Sequence, residues 1–363
     1  MIKSFNFWKN KRVLILGHTG FKGSWLSYTL KLLGAKIYGY SLKPENKNCL
    51  FEKLNLKKSF FVKHVYADIL DYKKLQKFIL NSKAQIIINL AAQSLVRKSY
   101  KFPLETFKIN YIGSLNILYA AKDMKSLRSI IMITTDKVYE NFEKKGGYKE
   151  TDRLGGYDPY SASKSSSEIA IKSFANSFLK EKKINLATLR AGNVIGGGDW
   201  CEDRLIPDII KSLKYKKKLI LRNPKSIRPW QHVLETVFAY LNVAQAMFYK
   251  KFKSPNNWNI GPNKSNNISV LEIIKFFKKN FKNLNFELKK SYLKETKVLT
   301  LKNNKFKKDF NWKPVLNKKQ TLNFTLTWYK YFLSGNTKEL NKLTKSQIHY
   351  FLKKNNQTKF IKL

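Results

Sequence analysis

Short, almost unbroken apolar runs alternate along this chain with longer stretches whose apolar residues recur every three or four positions. Arg12–Leu16, Lys36–Tyr40, Phe61–Tyr66, Gln85–Asn89, Ser129–Thr134 and Ile184–Arg190 read as six strands. Helical spacing runs from the glycines after Leu16 to about Leu33, through the segment after Asp71, and over Glu105–Lys122 and Tyr160–Lys180. Strands apolar on both faces and separated by helices predict an α/β domain with a parallel sheet covered on both sides. The pattern changes after Arg190. Gly192–Asp203 is glycine-rich, Leu205–Leu213 and Val233–Phe248 read as helices, and residues 263–330 are short Lys/Asn-rich pieces around aromatics.

Between the first strand and its helix lies Gly17-His-Thr-Gly-Phe-Lys-Gly23. The first glycine permits a tight turn, the second lets the backbone approach a pyrophosphate, and the third allows close helix–strand packing, with the helix N-terminus facing the anion. A lone glycine triplet says little. At the start of this strand–helix series it predicts a Rossmann-type doubly wound sheet that binds a dinucleotide. The expected organisation is a cofactor-binding domain over 8–191, with 228–262 returning to it. A smaller, discontinuous substrate-binding lobe spans 192–227 and 263–330, and a basic tail, peripheral and helical or frayed, covers 331–363. Gly17, Thr19, Gly20, Phe21 and Gly23 would line the cofactor, as would Asp68 and Ile69 at the end of the third strand. Leu90, Ala91 and Ala92 after the fourth strand, with Asn110 in the next helix, would complete that lining. Asp68 suits an adenine edge, or else simply caps the following helix. The acid that usually ends the second strand is missing from Gly39-Tyr-Ser-Leu-Lys43, so this position does not favour NAD over NADP, and Lys43 would suit a phosphate.

Composition removes several classes of function. The 363 residues carry 71 Lys+Arg against 24 Asp+Glu, a formal charge of +47. That excess invites a nucleic-acid reading, but only eight of the basic residues are Arg, the Lys are spread along the chain, and no interleaved Arg/aromatic stripe occurs. No nucleic-acid partner is expected. No apolar run reaches the ~18–20 residues of a membrane helix, and Val13–Leu16 is too short for a signal peptide. Two cysteines without zinc or disulfide spacing fit a reducing cytoplasm, and four scattered histidines suggest no metal site. Arg190, Arg204, Arg222 and Arg228 cluster in a chain otherwise served by Lys, and the bidentate guanidinium fork suits an anion such as a diphosphate.

Tyr160-Ser-Ala-Ser-Lys164 places a phenol and an ammonium on one helical face. A nearby cation lowers the phenol pKa and makes it a competent base for an alcohol proton. The fifth strand ends in Thr134-Thr-Asp-Lys-Val-Tyr139, where the Thr135 hydroxyl would complete a site for alcohol oxidation.

On these residues the chain resembles the extended short-chain dehydrogenase/reductase family, and within it the nucleotide-sugar 4,6-dehydratases, nearest the type that acts on CDP-glucose. The stretches that carry the resemblance are Gly17–Leu26, Asn89–Tyr100, Thr134–Phe142, Gly155–Ser165, Arg190–Pro207 and Ile227–Glu235. Residues 263–330 match loosely and 331–363 match nothing in that pattern. The resemblance implies NAD as cofactor and an internal redox dehydration. Tyr160, helped by Lys164 and Thr135, would take the carbon 4 hydroxyl proton. Asp136 would protonate the hydroxyl leaving carbon 6, and Lys137 would remove or stabilise the carbon 5 proton. A Lys base must be neutral when it acts, so its pocket is expected to depress its pKa. Gln93, Asn193, Arg204 and Arg228 would hold the sugar nucleotide, Trp200 or Trp230 would stack on its base, and the protein would form a homo-oligomer. Two rivals stay open: an epimerase or dehydratase acting on a dTDP- or GDP-hexose, and a Rossmann module that binds RNA without catalysis.

Overall fold

Each of the six expected strands forms, and a seventh joins them at one edge. The computed structural model describes residues 5–144, 146–262, 267–289 and 299–357. Parts of the expected lobe (263–266, 290–298) and tail (358–363) lie outside the described residues. The strands are β1 (Arg12–Leu16), β2 (Lys36–Ser41), β3 (Phe61–Tyr66), β4 (Ile86–Asn89), β5 (Ser129–Ile133), β6 (Asn185–Ala191) and β7 (Asn256–Ile260), lying in the order β7-β6-β5-β4-β1-β2-β3. Every neighbouring pair is parallel. The strand order reverses between β1 and β4, so the crevice beyond their C-terminal ends is where an open sheet of this kind receives a ligand.

Period-two alternation sorts the core. Val13, Ile15, Ile86, Ile88, Ile131 and Leu189 point to one face, against helices α1 (Phe21–Leu32) and Val233–Phe248. Leu14, Leu16, Ile87, Ile130, Met132 and Leu186 point to the other, against Tyr72–Ser82, Gly113–Ala121 and α2 (Pro159–Phe174). The turn from β1 into α1 depends on contact between its glycines. Gly17 has φ +86°, and a Cβ on Gly23 would sit 2.1 Å from the Gly17 carbonyl oxygen. Gly20 differs: a Cβ there would meet only the Gly17 oxygen, at 3.4 Å, so its Cα faces open space.

The region after β6 is built from small pieces. Ile227–Pro229 pairs antiparallel with Asn267–Ser269, and Leu219–Leu221 pairs parallel with Phe286–Leu288. The C-terminal region is more ordered than its composition suggests. Helix α3 (Lys318–Leu333) starts with a reciprocal Asn317/Gln320 capping box. Of the expected helical or frayed tail, 337–357 is helix α4 (Thr337–Gln357), and it is not peripheral: it buries Leu340, Thr344, Ile348, Phe351 and Asn355. These residues recur every three or four positions, a narrow seam that the intervening Lys conceal in a composition-based reading. No described helix is long and apolar enough to cross a membrane.

Candidate active site

Helix α2 begins where its sequence says it should. Asp158 accepts hydrogen bonds from the Ser161 backbone N–H (3.0 Å) and hydroxyl (2.6 Å), and Pro159 occupies the first turn. Tyr160 and Lys164 then face the end of β5, both buried. The Thr135 hydroxyl donates to Asp136 Oδ1 at 2.9 Å, and Lys137 Nζ donates to the same oxygen at 3.2 Å. Asp136 is 2% exposed, and its second oxygen, Oδ2, has no hydrogen-bond partner among the described residues. Thr135, Asp136, Lys137 and Tyr160 therefore form one cluster rather than a turn facing water.

The electrostatics differ from the expectation in two respects. Burial raises the Tyr160 pKa above the usual phenol value. Lys137 opposes this most strongly, followed by the Thr135 hydroxyl, while Asp136 adds to the rise and Arg204 resists it. The cation that most favours the phenolate is thus Lys137, not Lys164. Lys137 is not depressed: burial works to lower it, but the Asp136 carboxylate and Tyr160 outweigh burial and the Arg228 guanidinium, and its pKa is raised. A carboxylate at hydrogen-bond distance overrides desolvation here. Lys164, by contrast, is lowered to about 8 by burial, against the pull of Glu168.

Three residues that the sequence did not single out complete the surroundings. Lys22, inside the glycine loop, is lowered to about 8 by burial and by the nearby Arg204 and Lys164 cations, against Asp136 and Asp199. Asp199 binds Arg204 Nη1 at 3.2 Å, and Arg204 Nη2 donates to Ser94 Oγ at 3.2 Å. Glu168, one turn after Lys164 on the same helix face, forms a buried pair with Arg190. Only the four-residue spacing from Lys164 pointed to Glu168. Nothing in the sequence pointed to Asp199.

Several expected ligands are engaged by the protein itself. Arg190 Nε lies 2.9 Å from both Glu168 oxygens, and its Nη1 donates to Tyr139 Oη at 2.6 Å and to the Glu150 carbonyl. A buried guanidinium needs a buried carboxylate, so Arg190 leaves the anion cluster. Arg222 pairs with Asp203 at the surface, whereas Arg204 and Arg228 act on Tyr160 and Lys137 respectively. The Asn110 amide is satisfied by the Gln93 backbone and Ser163 Oγ. The Gln93 amide is satisfied by Leu95 and Thr106. Both brace the loop after β4.

Ala91, expected as a cofactor contact, is likewise engaged within that loop. Its N–H donates to Asn89 Oδ1 at 3.0 Å, and its half-buried methyl packs against the core under the sheet. A Cβ on Gly17 would lie 2.7 Å from the Ala91 nitrogen and 2.8 Å from the Leu90 carbonyl carbon, so these two residues form the wall that keeps position 17 a glycine. Ala92 is half-buried beside them. Neither tryptophan is placed to stack on a base: Trp200 is buried against Phe332, and Trp230 is buried with its indole N–H on the Ile268 carbonyl. Asp68 Oδ1 accepts from Leu70 N, while Asp71 caps the next helix. The Ile69 side chain fills the space above Gly113, and Thr19 bridges Ser41 and the Leu42 carbonyl. Phe21 opens α1, and Asn193 accepts through its carbonyl from Gln231 N.

Comparison with known proteins adds to this geometry. The family model described as GDP-mannose 4,6 dehydratase matches residues 14–324. The CDP-glucose 4,6-dehydratase of Salmonella typhimurium is 45% identical over 262 residues, 71% of this chain and 72% of that protein. The solved UDP-glucose 4-epimerase of Stenotrophomonas maltophila, with bound NAD and formylated UDP-arabinopyranose, matches with a TM-score of 0.78 at 20% identity, over 90% of this chain and 99% of that one. The dTDP-glucose 4,6-dehydratase of Bacillus anthracis, in complex with NAD, matches with a TM-score of 0.72 at 22% identity, over 91% of this chain and 99% of that one.

The Glu168–Arg190 pair sets a stability expectation. Glu168→Gln removes the carboxylate and leaves a buried guanidinium without its counter-charge, which should cost about 3–5 kcal/mol. Urea unfolding measures it, and an unchanged midpoint would show that the pair contributes nothing.

Proposed function

The chain belongs to the nucleotide-sugar dehydratase family that the GDP-mannose 4,6-dehydratase model describes, and from that premise we propose that it is a CDP-glucose 4,6-dehydratase. It converts CDP-D-glucose to CDP-4-keto-6-deoxy-D-glucose and water. The substrate follows the 45% identical relative. The observation that carries the reaction type is the single cluster of Tyr160 and Asp136, both buried, with the half-buried Lys137. An epimerase needs the phenol but has no use for an acid and a base beside it.

The glycine loop suits a dinucleotide: Gly17 and Gly23 are closed against each other, and Gly20 leaves its outer face open. NAD, when bound there, supplies a hydride acceptor for carbon 4 and a hydride donor for carbon 6. The chain's own residues handle the protons. Tyr160, acting as the phenolate that the Lys137 cation favours most, takes the carbon 4 hydroxyl proton, and the ketone formed makes the carbon 5 proton acidic. At rest Asp136 and Lys137 are an ion pair, an acid lacking its proton beside a base carrying one. Moving a single proton along the 3.2 Å Nζ–H···Oδ1 contact turns them into the carboxylic acid and free amine that elimination requires. Lys137 then takes the carbon 5 proton and Asp136 protonates the departing hydroxyl, which restores the ion pair. After Lys137 returns its proton to carbon 5, the proton held by Tyr160 passes through Thr135 and Asp136 to the Lys137 amine, which restores the phenolate and the ion pair. Arg204 and Arg228, with Asn193, grip the diphosphate. Cofactor contacts fall to the loop backbone at Gly17–Gly23, to Asp68, to Leu90 and Ala92 and to Lys164. Ala91, Gln93 and Asn110 act by holding the loop after β4.

The enzyme works in a reducing cytoplasm, in keeping with the free thiols of Cys49 and Cys201, and supplies a keto-deoxy sugar nucleotide for surface-polysaccharide assembly. It is a homo-oligomer. Leu104, Ile112, Tyr119, Ile169 and Phe178 leave an exposed apolar surface on helices that pack side by side, and this surface is the proposed contact.

Incubation with CDP-, dTDP-, GDP- and UDP-glucose, followed by the absorbance of a 4-keto sugar in base, should give signal with CDP-glucose. A carbon 4 epimer as product would overturn the assignment. Lys137→Ala should stop product formation while the protein retains NAD, and turnover at the wild-type rate would remove Lys137 from the chemistry. Loss of a charged hydrogen-bond donor of about 1.5–3 kcal/mol should raise KM about 12- to 160-fold in Arg228→Ala, checked by initial rates. Light scattering should give a multiple of the 42.5 kDa chain mass, and Ile169→Glu should shift it to the monomer.

A further inference from the structure

We propose that the C-terminal helices α3 and α4 are a positioning element of the substrate pocket and set the aim of Arg204 through Asp199. Their contacts converge on one loop. Three consecutive carbonyls of that loop each receive a hydrogen bond from a different part of the fold. Gly197 O accepts from Trp25 Nε1 at 2.8 Å, Gly198 O from Leu50 N at 3.3 Å, and Asp199 O from Tyr329 Oη at 2.8 Å. The α3 side adds packing: a Cβ on Gly197 would lie 2.0 Å from the Trp328 indole, so the loop backbone rests directly on that ring. Trp328 is held in turn by its indole N–H on Thr344 Oγ1 of α4, at 3.0 Å. Trp200 packs on Phe332, with ring centroids 5.2 Å apart.

With its backbone held on three sides, Asp199 has a fixed carboxylate. Oδ1 accepts from Cys201 N at 3.1 Å, and Oδ2 accepts from Arg204 Nη1 at 3.2 Å. A long, rotamer-rich Arg side chain gains affinity for an anion when a neighbour fixes its direction beforehand. Trp328, Tyr329, Phe332 and all of α4 lie beyond residue 324, where the match to the family model ends. The residues of α3 and α4 that brace the loop thus lie outside the matched stretch, whereas Asp199 and Arg204, which they serve, lie inside it.

The inference rests on the reading of Arg204 as a diphosphate ligand, and its test separates the two. CDP binding is measured by titration calorimetry on full-length, NAD-loaded protein, for wild type, Tyr329→Phe, Arg204→Ala and the double variant. Losing one hydrogen bond of about 0.5–1.5 kcal/mol should weaken CDP binding about 2- to 12-fold in Tyr329→Phe, and KM should rise with kcat within about twofold. In the Arg204→Ala background the Tyr329→Phe effect should vanish, because it acts through the guanidinium. Equal CDP affinity in wild type and Tyr329→Phe overturns the proposal, and so does an equal loss in both backgrounds, which would mean general loosening. Asp199→Asn, which keeps the side chain's size, should reproduce the Tyr329→Phe phenotype, and wild-type affinity in it would also overturn the proposal. A protein that dehydrates no nucleotide sugar but shows this coupling in CDP binding would overturn the dehydratase reading and leave the present one standing.

Discussion

The buried Glu168–Arg190 pair holds together the three elements that the chemistry requires. Glu168 belongs to the helix of Tyr160 and Lys164, Arg190 to the neighbouring strand β6, and Thr134, which donates to Glu168 Oε1 at 2.5 Å, to the end of β5 just before Thr135. The same guanidinium stacks on Tyr139, which reaches Asn259 of β7 at 2.7 Å. Burying both charges is expensive, and hydrophobic residues of similar volume would often be as stable. The pair instead offers direction: a helix free to slide along an apolar face is fixed in register by a fork-shaped contact. The distance between the phenol of α2 and the carboxylate after β5 depends on that register.

The fold alone does not separate the available reactions. An epimerase and a dehydratase match this chain over similar lengths and at similar TM-scores, as expected when a scaffold is shared and function resides in a few side chains. The discrimination comes from what stands next to the phenol. In the proposed mechanism, the aspartate with one unpartnered buried oxygen and the lysine sharing its other oxygen serve as the proton-exchanging couple. Simple alcohol oxidation has no role for such a couple, whereas elimination of water across two carbons requires one proton to arrive as another departs.

Much of the sheet is legible in the sequence because its signal is local. Unbroken apolar runs in β1, β4 and β5, the glycine spacing, and the Asp-Pro start of α2 are properties of neighbouring residues. The four-residue spacing of Tyr160 and Lys164 is equally readable. What a sequence hides is the identity of tertiary partners. Arg190 reads as an anion ligand because a guanidinium has the same chemistry whether its carboxylate is a substrate or Glu168. Gln93 and Asn110 read as ligand contacts for the same reason, although a buried amide is satisfied just as well by a loop backbone. Ala91 is the backbone counterpart of that case: its N–H could meet a cofactor, yet the side chain two residues earlier takes it. Trp200 and Trp230 are large flat rings that here face the core. The last helix is hidden because its buried residues are few and lie among lysines, and a narrow seam carries little weight in composition.

The charge excess acquires a specific meaning only at the cleft. Lys22, Lys137, Lys164, Arg204 and Arg228 surround the carboxylates of Asp136 and Asp199, so cations outnumber their local counter-charges. Lys22 and Lys164 accordingly stand near 8 rather than at the ordinary lysine value of 10.5. Between about pH 8 and 10.5 the unfolded chain binds more protons at these two positions than the folded one, so they favour folding increasingly as pH rises through that window. Below it the folded protein carries both charges against their environment. Under the proposed reading Arg204 meets the diphosphate, and a dianion arriving there relieves the unfavourable charging of the neighbouring Lys22. A diffuse lysine surface would attract anions without choosing among them. A few cations gathered around two carboxylates can instead divide the work: under the proposed reading Arg204 and Arg228 meet the diphosphate, while Lys137 keeps to the proton chemistry and Lys164 to the cofactor.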